Sequence, residues 1–417
     1  MAGRESRFDA WMVLFLHNRY RTTGGEERVV DDLLWLVREQ LQEPAQLLER
    51  RPQAGPGSLA RARAGIGLLR GGLEPAHVAD AVRGSGARVV HAHNLLPSFG
   101  WRALAAARAA GAGVVLHLHQ YRLVCAIGVC FTRGGECTRC HGRNTLAGVR
   151  LNCRGSHAEA LAYGASLALW QRRLAAHADA VIVPSAFARE RLRELGARLP
   201  WERVHVLAPP LRALAATAPA HAVDDALPRA RDDRVTATPA DPPAGSYALV
   251  VSRLSAEKGV DVAIDACRLA GMPLVVAGEG PERAALAARA DEHAVRFVGR
   301  AEDAQLARLR AGAAIALAPS RSGESFGLAA AEAMAVGLPV AGSRVGALPE
   351  LLDADALVPS GDAAALARAI GRLAGDREAG ARGRERVREL CAPQAVARAL
   401  ARVYDGSTVD RALERTI

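Results

Sequence analysis

The sequence predicts an α/β protein built from two doubly wound, Rossmann-like parallel-sheet domains, and three observations carry that expectation. At 417 residues the chain exceeds the length over which one hydrophobic core keeps growing. Apolar runs of strand length alternate with helix-length amphipathic stretches in both halves, as in parallel sheets covered by helices. Between the halves, residues 211–246 are rich in Ala, Pro and Asp and show no sustained apolar period, which reads as a linker or long loop.

In chain order, the first domain is expected over residues 1–210, with strands at 11–16, 88–93, 114–119, 180–184 and 203–208. The second is expected over 247–392, with strands at 247–252, 274–277, 295–298, 315–318 and 339–341. Residues 393–417 return to helical spacing, with Val396, Leu400, Val403 and Tyr404 on one face, and predict a closing helix packed on either domain. No repeat of fixed period runs through the chain, which argues against a solenoid.

Composition narrows the function classes. Apolar residues at 50% and charged residues at 24% fit a folded globular chain rather than a disordered or fibrous one. The apolar run at 11–16 is too short for a signal-peptide core or a membrane span, and no later segment reaches about 18 uncharged apolar residues. A cytoplasmic protein is therefore expected, and seven cysteines there argue against a disulfide scaffold. The net charge of +10 is compatible with a codon-driven excess of arginine. It also suits attraction to anionic lipid headgroups at the inner face of a membrane, to phosphate-bearing acceptors or to nucleic acid. Every basic side chain of the Lys/Arg class is arginine except Lys258, which singles that position out.

In open parallel sheets, ligands bind beyond the carboxyl ends of the strands. There the second half places Arg253 and Lys258 around a turn ending at Gly259, a planar fork and a point charge suited to a diphosphate. Gly278 and Gly280 follow the next strand and allow close backbone approach, either to a ligand or to a neighbouring loop. Glu324 and Glu332 stand eight residues apart around Ser325, Phe326 and Gly327. With a helix beginning at Glu324, the N–H groups of residues 325–327 face an anion, and Glu332 lies roughly 12 Å further along. One carboxylate then grips sugar hydroxyls and the other ribose hydroxyls, although such pairs also occur on solvated helices.

These residues resemble the C-terminal nucleotide-binding domain of family 4 glycosyltransferases of the GT-B fold. The matching segments are Val251-Ser-Arg-Leu-Ser-Ala-Glu-Lys-Gly259, Val276-Ala-Gly-Glu-Gly-Pro281, Phe297-Val-Gly299, Pro319-Ser320, the Glu324 and Glu332 pair, and Val345-Gly-Ala-Leu-Pro-Glu350. The resemblance implies two domains facing across a cleft and transfer of a sugar, with retention, from a nucleotide-diphosphate donor to a glycan or lipid-linked acceptor, as in cell-surface polysaccharide synthesis. It implies catalytic roles for Arg253, Lys258, Glu324 and His119, and donor contacts from Gly24, Gly25, Gly278, Gly280, Gly299, Ser325, Phe326, Gly327 and Glu332. No catalytic metal and no nucleic acid are expected. A sugar epimerase or phosphorylase on the same fold is the near alternative. A zinc-containing nucleic-acid-binding protein would leave Lys258 and the glutamate pair unexplained.

In the first half, Gly24 and Gly25 precede a helical stretch and fit either a plain helix entry or a loop bordering the donor diphosphate. His91, His93 and Asn94 end one strand, and His117, His119 and Gln120 end another; alternate histidines share a face. A metal pair is conceivable, but no carboxylate follows at ligand spacing, and a hydrogen-bonding role is favoured. The family commonly has aspartate where this chain has Gln120, which leaves His119 as a sugar-contacting donor. Cys125, Cys137, Cys140 and Cys153 offer four soft ligands for a structural Zn²⁺. Cys130 is then spare or replaces Cys125; free thiols and a redox pair are the other readings. The pattern resembles a cysteine-bearing subgroup of the same family.

Overall fold

The computed structural model describes residues 12–20, 24–51, 58–215, 245–291 and 294–414. Residues 216–244, most of the expected linker, lie outside that set, as do Trp11 and residues 415–417. The chain divides into two units. The first comprises Met1–Pro210, Ser322–Phe326 and Pro393–Ile417; the second comprises Leu211–Arg321 and Gly327–Ala392.

In the first unit the strands are β1 (Met12–Asn18), β2 (Ala45–Arg50), β3 (Ala87–Ala92), β4 (Gly113–His117), β5 (Phe131–Thr132), β6 (Gly135–Glu136), β7 (Ala180–Val183) and β8 (Val204–Val206). Six of them form a parallel sheet in the order β2-β1-β3-β4-β7-β8, and β5 and β6 make a separate antiparallel hairpin. Parallel strands covered on both faces read as continuous apolar runs, and β1, β4 and β7 are buried almost throughout. The edge strand β2, Ala-Gln-Leu-Leu-Glu-Arg, is mixed in character because one of its edges has no strand neighbour.

The closing helix, Pro393–Glu414, packs on this first sheet against β3, β4 and β7. Val396, Leu400, Val403 and Tyr404 are all buried, so the apolar stripe predicted from the sequence is the packed face. Gly113 opens β4 where a Cβ would stand 2.6 Å from the Ser407 carbonyl oxygen; only glycine admits the helix so close.

The second unit contains β9 (Ala248–Val251), β10 (Leu274–Ala277), β11 (Val295–Gly299), β12 (Ile315–Ala318), β13 (Val340–Ser343) and β14 (Leu357–Val358). They form a parallel sheet in the order β11-β10-β9-β12-β13-β14. The order reverses between β9 and β12, the topological switch point at which doubly wound sheets open a ligand crevice beyond their strand ends. Each strand expected from the sequence is present with ends shifted by a few residues, and the fold is of the expected α/β, two-Rossmann GT-B class.

Candidate active site

At the switch point of the second sheet, the segment after β9 folds into a tight turn. A short 3-10 helix, Ala256–Lys258, is followed by Gly259 at φ +63°. A Cβ at Gly259 would lie 2.1 Å from the Pro319 carbonyl oxygen, so the turn is wedged against the loop after β12. The Arg321 N–H donates to the Glu257 carbonyl (2.8 Å), and the Arg321 guanidinium donates to Asp261 (2.6 Å), fastening the same two loops. Arg253 and Lys258 are therefore carried by a braced turn. Burial raises the Glu257 carboxyl, but the Ser255 hydroxyl (2.7 Å) and the Arg253 guanidinium more than offset it, so its pKa falls below the usual range. Glu257 was not singled out from the sequence. It fixes Arg253, whose side chain remains 55% exposed.

Gly278 and Gly280 have a structural explanation. A Cβ at Gly278 would stand 1.8 Å from the Ser252 carbonyl oxygen, and one at Gly280 would stand 2.2 Å from that of Leu254. The loops after β9 and β10 thus touch backbone to backbone, with the Leu254 N–H donating to the Glu279 carbonyl at 2.9 Å. Gly299 closes the row: its carbonyl accepts from the Gly278 N–H at 2.7 Å.

The glutamate pair differs from the sequence expectation. The helix does not begin at Glu324; it spans Leu328–Ala335, with Gly327 as its N-cap at φ +98°. Gly327 reverses the chain in a conformation costly for other residues, and residues 325–327 precede the helix rather than forming its first turn. Glu324 lies in the segment Ser322–Phe326 of the first unit, whereas Glu332 lies in the second. The spacing computed along one helix therefore does not apply. Glu332 is partly buried and paired with the guanidinium of Arg310.

Within the first unit, the segment carrying Glu324 is held to the carboxyl ends of the strands. The Ser325 hydroxyl donates to the His119 carbonyl (2.7 Å), and the Ser185 hydroxyl donates to the Ser325 carbonyl (2.7 Å) while capping the helix Ala186–Glu194. Phe326 is buried. At the end of β1, Gly24 caps the helix Gly25–Glu39, and Glu27 reaches back to accept from the N–H groups of Gly24 and Tyr20, both at 2.9 Å. The glycine turn is thus held by Glu27, which supplies the backward-reaching half of a capping box; Gly24 has no side chain to supply the other half. Tyr20 donates to Glu26 (2.8 Å), and Gln120 donates to both Tyr20 (2.8 Å) and Glu26 (2.9 Å). Gln120 therefore serves as a brace beside His119.

Alternation along β3 and β4 brings four imidazoles together. His91 Nε2 lies 3.2 Å from His117 Nδ1, and His93 Nδ1 lies 2.8 Å from His119 Nε2, with the two rings of each pair stacked. The far end is tied to the closing helix, since the Tyr404 hydroxyl lies 2.8 Å from His91 Nδ1. Burial pushes the pKa of all four histidines down, that of His91 to about 3. Among the described residues, His91, His93 and His117 have ligand atoms within 4.8 Å of one another. The direct ring-to-ring contacts favour the hydrogen-bonding reading of this cluster.

The five cysteines of the segment 125–153, read from the sequence as a cysteine-rich insert of the first domain, are Cys125, Cys130, Cys137, Cys140 and Cys153, and they line one small cavity together with Phe131, Gly148 and Leu151. A hydrogen bond from the Cys130 thiol, aided by the N–H groups of Ile127, Cys130 and Gly128, holds Cys125 down to about 6. Burial raises Cys140. Soft donors with a thiolate already stabilised among them fit a thiophilic cation.

Residues 11–210 match the family described as "Glycosyl transferase 4-like domain", and 245–376 match "Glycosyl transferases group 1". The chain is 38% identical over 191 residues to a GDP-mannose-dependent alpha-(1-6)-phosphatidylinositol dimannoside mannosyltransferase of Mycobacterium tuberculosis, covering 44% of this chain and 45% of that protein. It is 38% identical over 142 residues to the amylovoran biosynthesis glycosyltransferase AmsK of Erwinia amylovora, covering 30% and 35%. These matches span less than half the length of the relatives. The fold is similar to that of HepE from Anabaena, solved with UDP and glucose, at a TM-score of 0.60 and 18% identity over 94% of this chain and 99% of that one. It is similar also to sucrose-phosphate synthase from Thermosynechococcus elongatus, at a TM-score of 0.61 and 19% identity over 95% and 98%. Among the described residues no helix is long and apolar enough to cross a membrane. The chain therefore carries, in order, a glycosyl transferase 4-like domain and a glycosyl transferases group 1 domain on two Rossmann-like sheets.

Proposed function

We propose that this protein is a retaining hexosyltransferase of the cysteine-bearing family 4 subgroup, moving a sugar from a nucleoside-diphosphate donor to a glycan or lipid-linked acceptor. The observation that carries the reading is the braced turn at the β9/β12 switch point, which carries both Arg253 and Lys258, the single lysine of the chain. The named mannosyltransferase relative and the neighbour solved with UDP and glucose support the same donor class.

In this reading, the nucleoside diphosphate departs from the face that the acceptor enters, through an oxocarbenium-like state. Arg253 and Lys258 stabilise the negative charge that develops on the leaving phosphate, each charge-assisted contact contributing roughly 1.5 to 3 kcal/mol. Glu324 orients the sugar, with Ser325, Phe326 and Gly327 shaping the loop that carries it. Glu332 takes the ribose hydroxyls. Gly24 and Gly25 border the phosphates, and Gly278, Gly280 and Gly299 keep the loop floor close enough for the donor to lie over it. When His93 Nδ1 donates to His119 Nε2, His119 carries its proton on Nδ1 and offers it to a sugar hydroxyl. Cys125, Cys137, Cys140 and Cys153 hold a structural Zn²⁺ that staples the insert, and the net charge of +10 favours peripheral attachment to an anionic inner membrane face.

Thermal stabilisation across a panel of nucleotide sugars tests the donor assignment, because a ligand that binds the folded state raises its stability by mass action. The expected result is stabilisation by one or a few nucleotide sugars and by the matching nucleoside diphosphate. A chain stabilised by none of them is not an enzyme of this class.

A further inference from the structure

We propose that Arg310 is a positioning residue for the donor ribose, acting through the Glu332 carboxylate. The inference rests on the reading of Glu332 as the ribose-gripping group, and it assigns a role to a residue that the motif does not include.

Arg310 stands in the last turn of the helix Asp303–Gly312, which packs on the second sheet, and Glu332 stands in the helix Leu328–Ala335. The two are 22 residues apart, and only the fold joins them: Arg310 Nη2 donates to Glu332 Oε2, with the side chains 10% and 13% exposed. Arg310 lines a small cavity together with Leu249, Val251, Ala316, Ala329 and Ala333, and its Nε is buried without a hydrogen-bond partner. A surface arginine would avoid such a place. Its retention there, with one donor unsatisfied, is explained by what the other end of the fork does for the carboxylate.

That effect has two parts. The guanidinium gives a carboxylate that sits partly buried among alanines a charged partner at one of its oxygens. An ionised carboxylate grips a vicinal diol with charge-assisted hydrogen bonds, about twice as strong as neutral ones. The pair also fixes the glutamate side chain, removing rotamer freedom that the ligand would otherwise have to freeze out. A carboxylate offers about four lone-pair sites, enough for it to accept from a guanidinium and from ribose hydroxyls at once.

The discriminating measurement is the ratio of affinities for GDP over 2′,3′-dideoxy-GDP, and for UDP over 2′,3′-dideoxy-UDP, by calorimetric titration of the full chain. The wild type is expected to prefer the ribonucleotide of its cognate base by about ten- to a hundredfold. Glu332→Ala should reduce that ratio to near one. Arg310→Met, with a circular-dichroism spectrum and ligand-free melting curve showing a folded chain, should reduce it to within a few-fold of the Glu332→Ala value. The double variant should lose no more than either single change, since both act on one interaction. Arg310→Lys should recover part of the ratio. If Arg310→Met does not fold, Arg310→Gln, which keeps the length and removes the charge, carries the same comparison. An Arg310→Met or Arg310→Gln chain that folds and keeps the wild-type ratio, while Glu332→Ala loses it, overturns the role of Arg310 alone. A wild type that binds ribo- and dideoxynucleotides of its cognate base equally well overturns the ribose role of Glu332 and the inference with it.

Discussion

Acidification should unfold the first unit well before its carboxylates are titrated. His91, His93 and His117 are fully buried, and burial lowers the pKa of each, to about 3 for His91 and well below the ordinary value for the other two. In the unfolded chain each returns to about 6.5. Above that pH both states hold the ring neutral and the histidines add no pH dependence. As the pH falls below about 6.5 the unfolded chain binds protons that the folded one excludes, so stability falls with pH until the folded-state values are reached. The slope approaches about 1.4 kcal/mol per pH unit for each such histidine. For His91, integrated from neutrality to about pH 5, the loss is about 2 kcal/mol, and His93 and His117 add losses of the same sign. All five tryptophans lie at or before Trp201, so intrinsic fluorescence during denaturant unfolding reports this unit selectively. The midpoint should fall steeply between about pH 6.5 and pH 5, and His117→Asn should make the slope shallower by about one proton. A midpoint flat over that interval would refute the buried, neutral histidine stack.

Other outcomes follow from the same structure. Gly278→Ala should destabilise the second unit by about 3 kcal/mol or more, because the added methyl meets the Ser252 carbonyl oxygen at 1.8 Å in a left-handed conformation; an unchanged melting temperature would contradict the backbone-to-backbone contact of the two loops. Metal analysis of protein purified without chelator should find about one zinc per chain, and Cys137→Ser with Cys140→Ser should abolish it; a chain free of zinc that folds normally ends the idea of a metal staple.

The sheets were legible in the sequence because buried parallel strands are written as uninterrupted apolar runs. Val-Leu-Phe-Leu in β1 and Leu-Val-Val-Ala in β10 admit few other readings. The edge strand β2 was missed because Glu49 and Arg50 break its pattern, and β14 because two residues carry no period. Candidate site residues could be picked out one by one from the sequence, but their geometry could not. Lys258 announced itself by composition, and the histidines by their alternation. The helix start was misplaced by four residues because Gly327 reads as an ordinary turn residue until its positive φ is seen. Arg310 and Glu257 gave no local signal, because each matters through a partner that only the fold or the turn supplies. Gly278 and Gly280 were recognised as close-approach glycines, yet the groups they approach are loop carbonyls.

The most direct test of the donor site uses the fact that Lys258 is the chain's single lysine. The protein is acylated with an amine-selective reagent in the presence and absence of the nucleoside diphosphate that stabilises it, and peptide mass mapping reads modification at Lys258 separately from the N-terminus. The diphosphate should protect Lys258 and preserve transfer activity, while acylation at Lys258 without it should abolish transfer. Equal modification of Lys258 with and without saturating nucleotide, or full activity after its complete acylation, would contradict a phosphate-binding role for this turn.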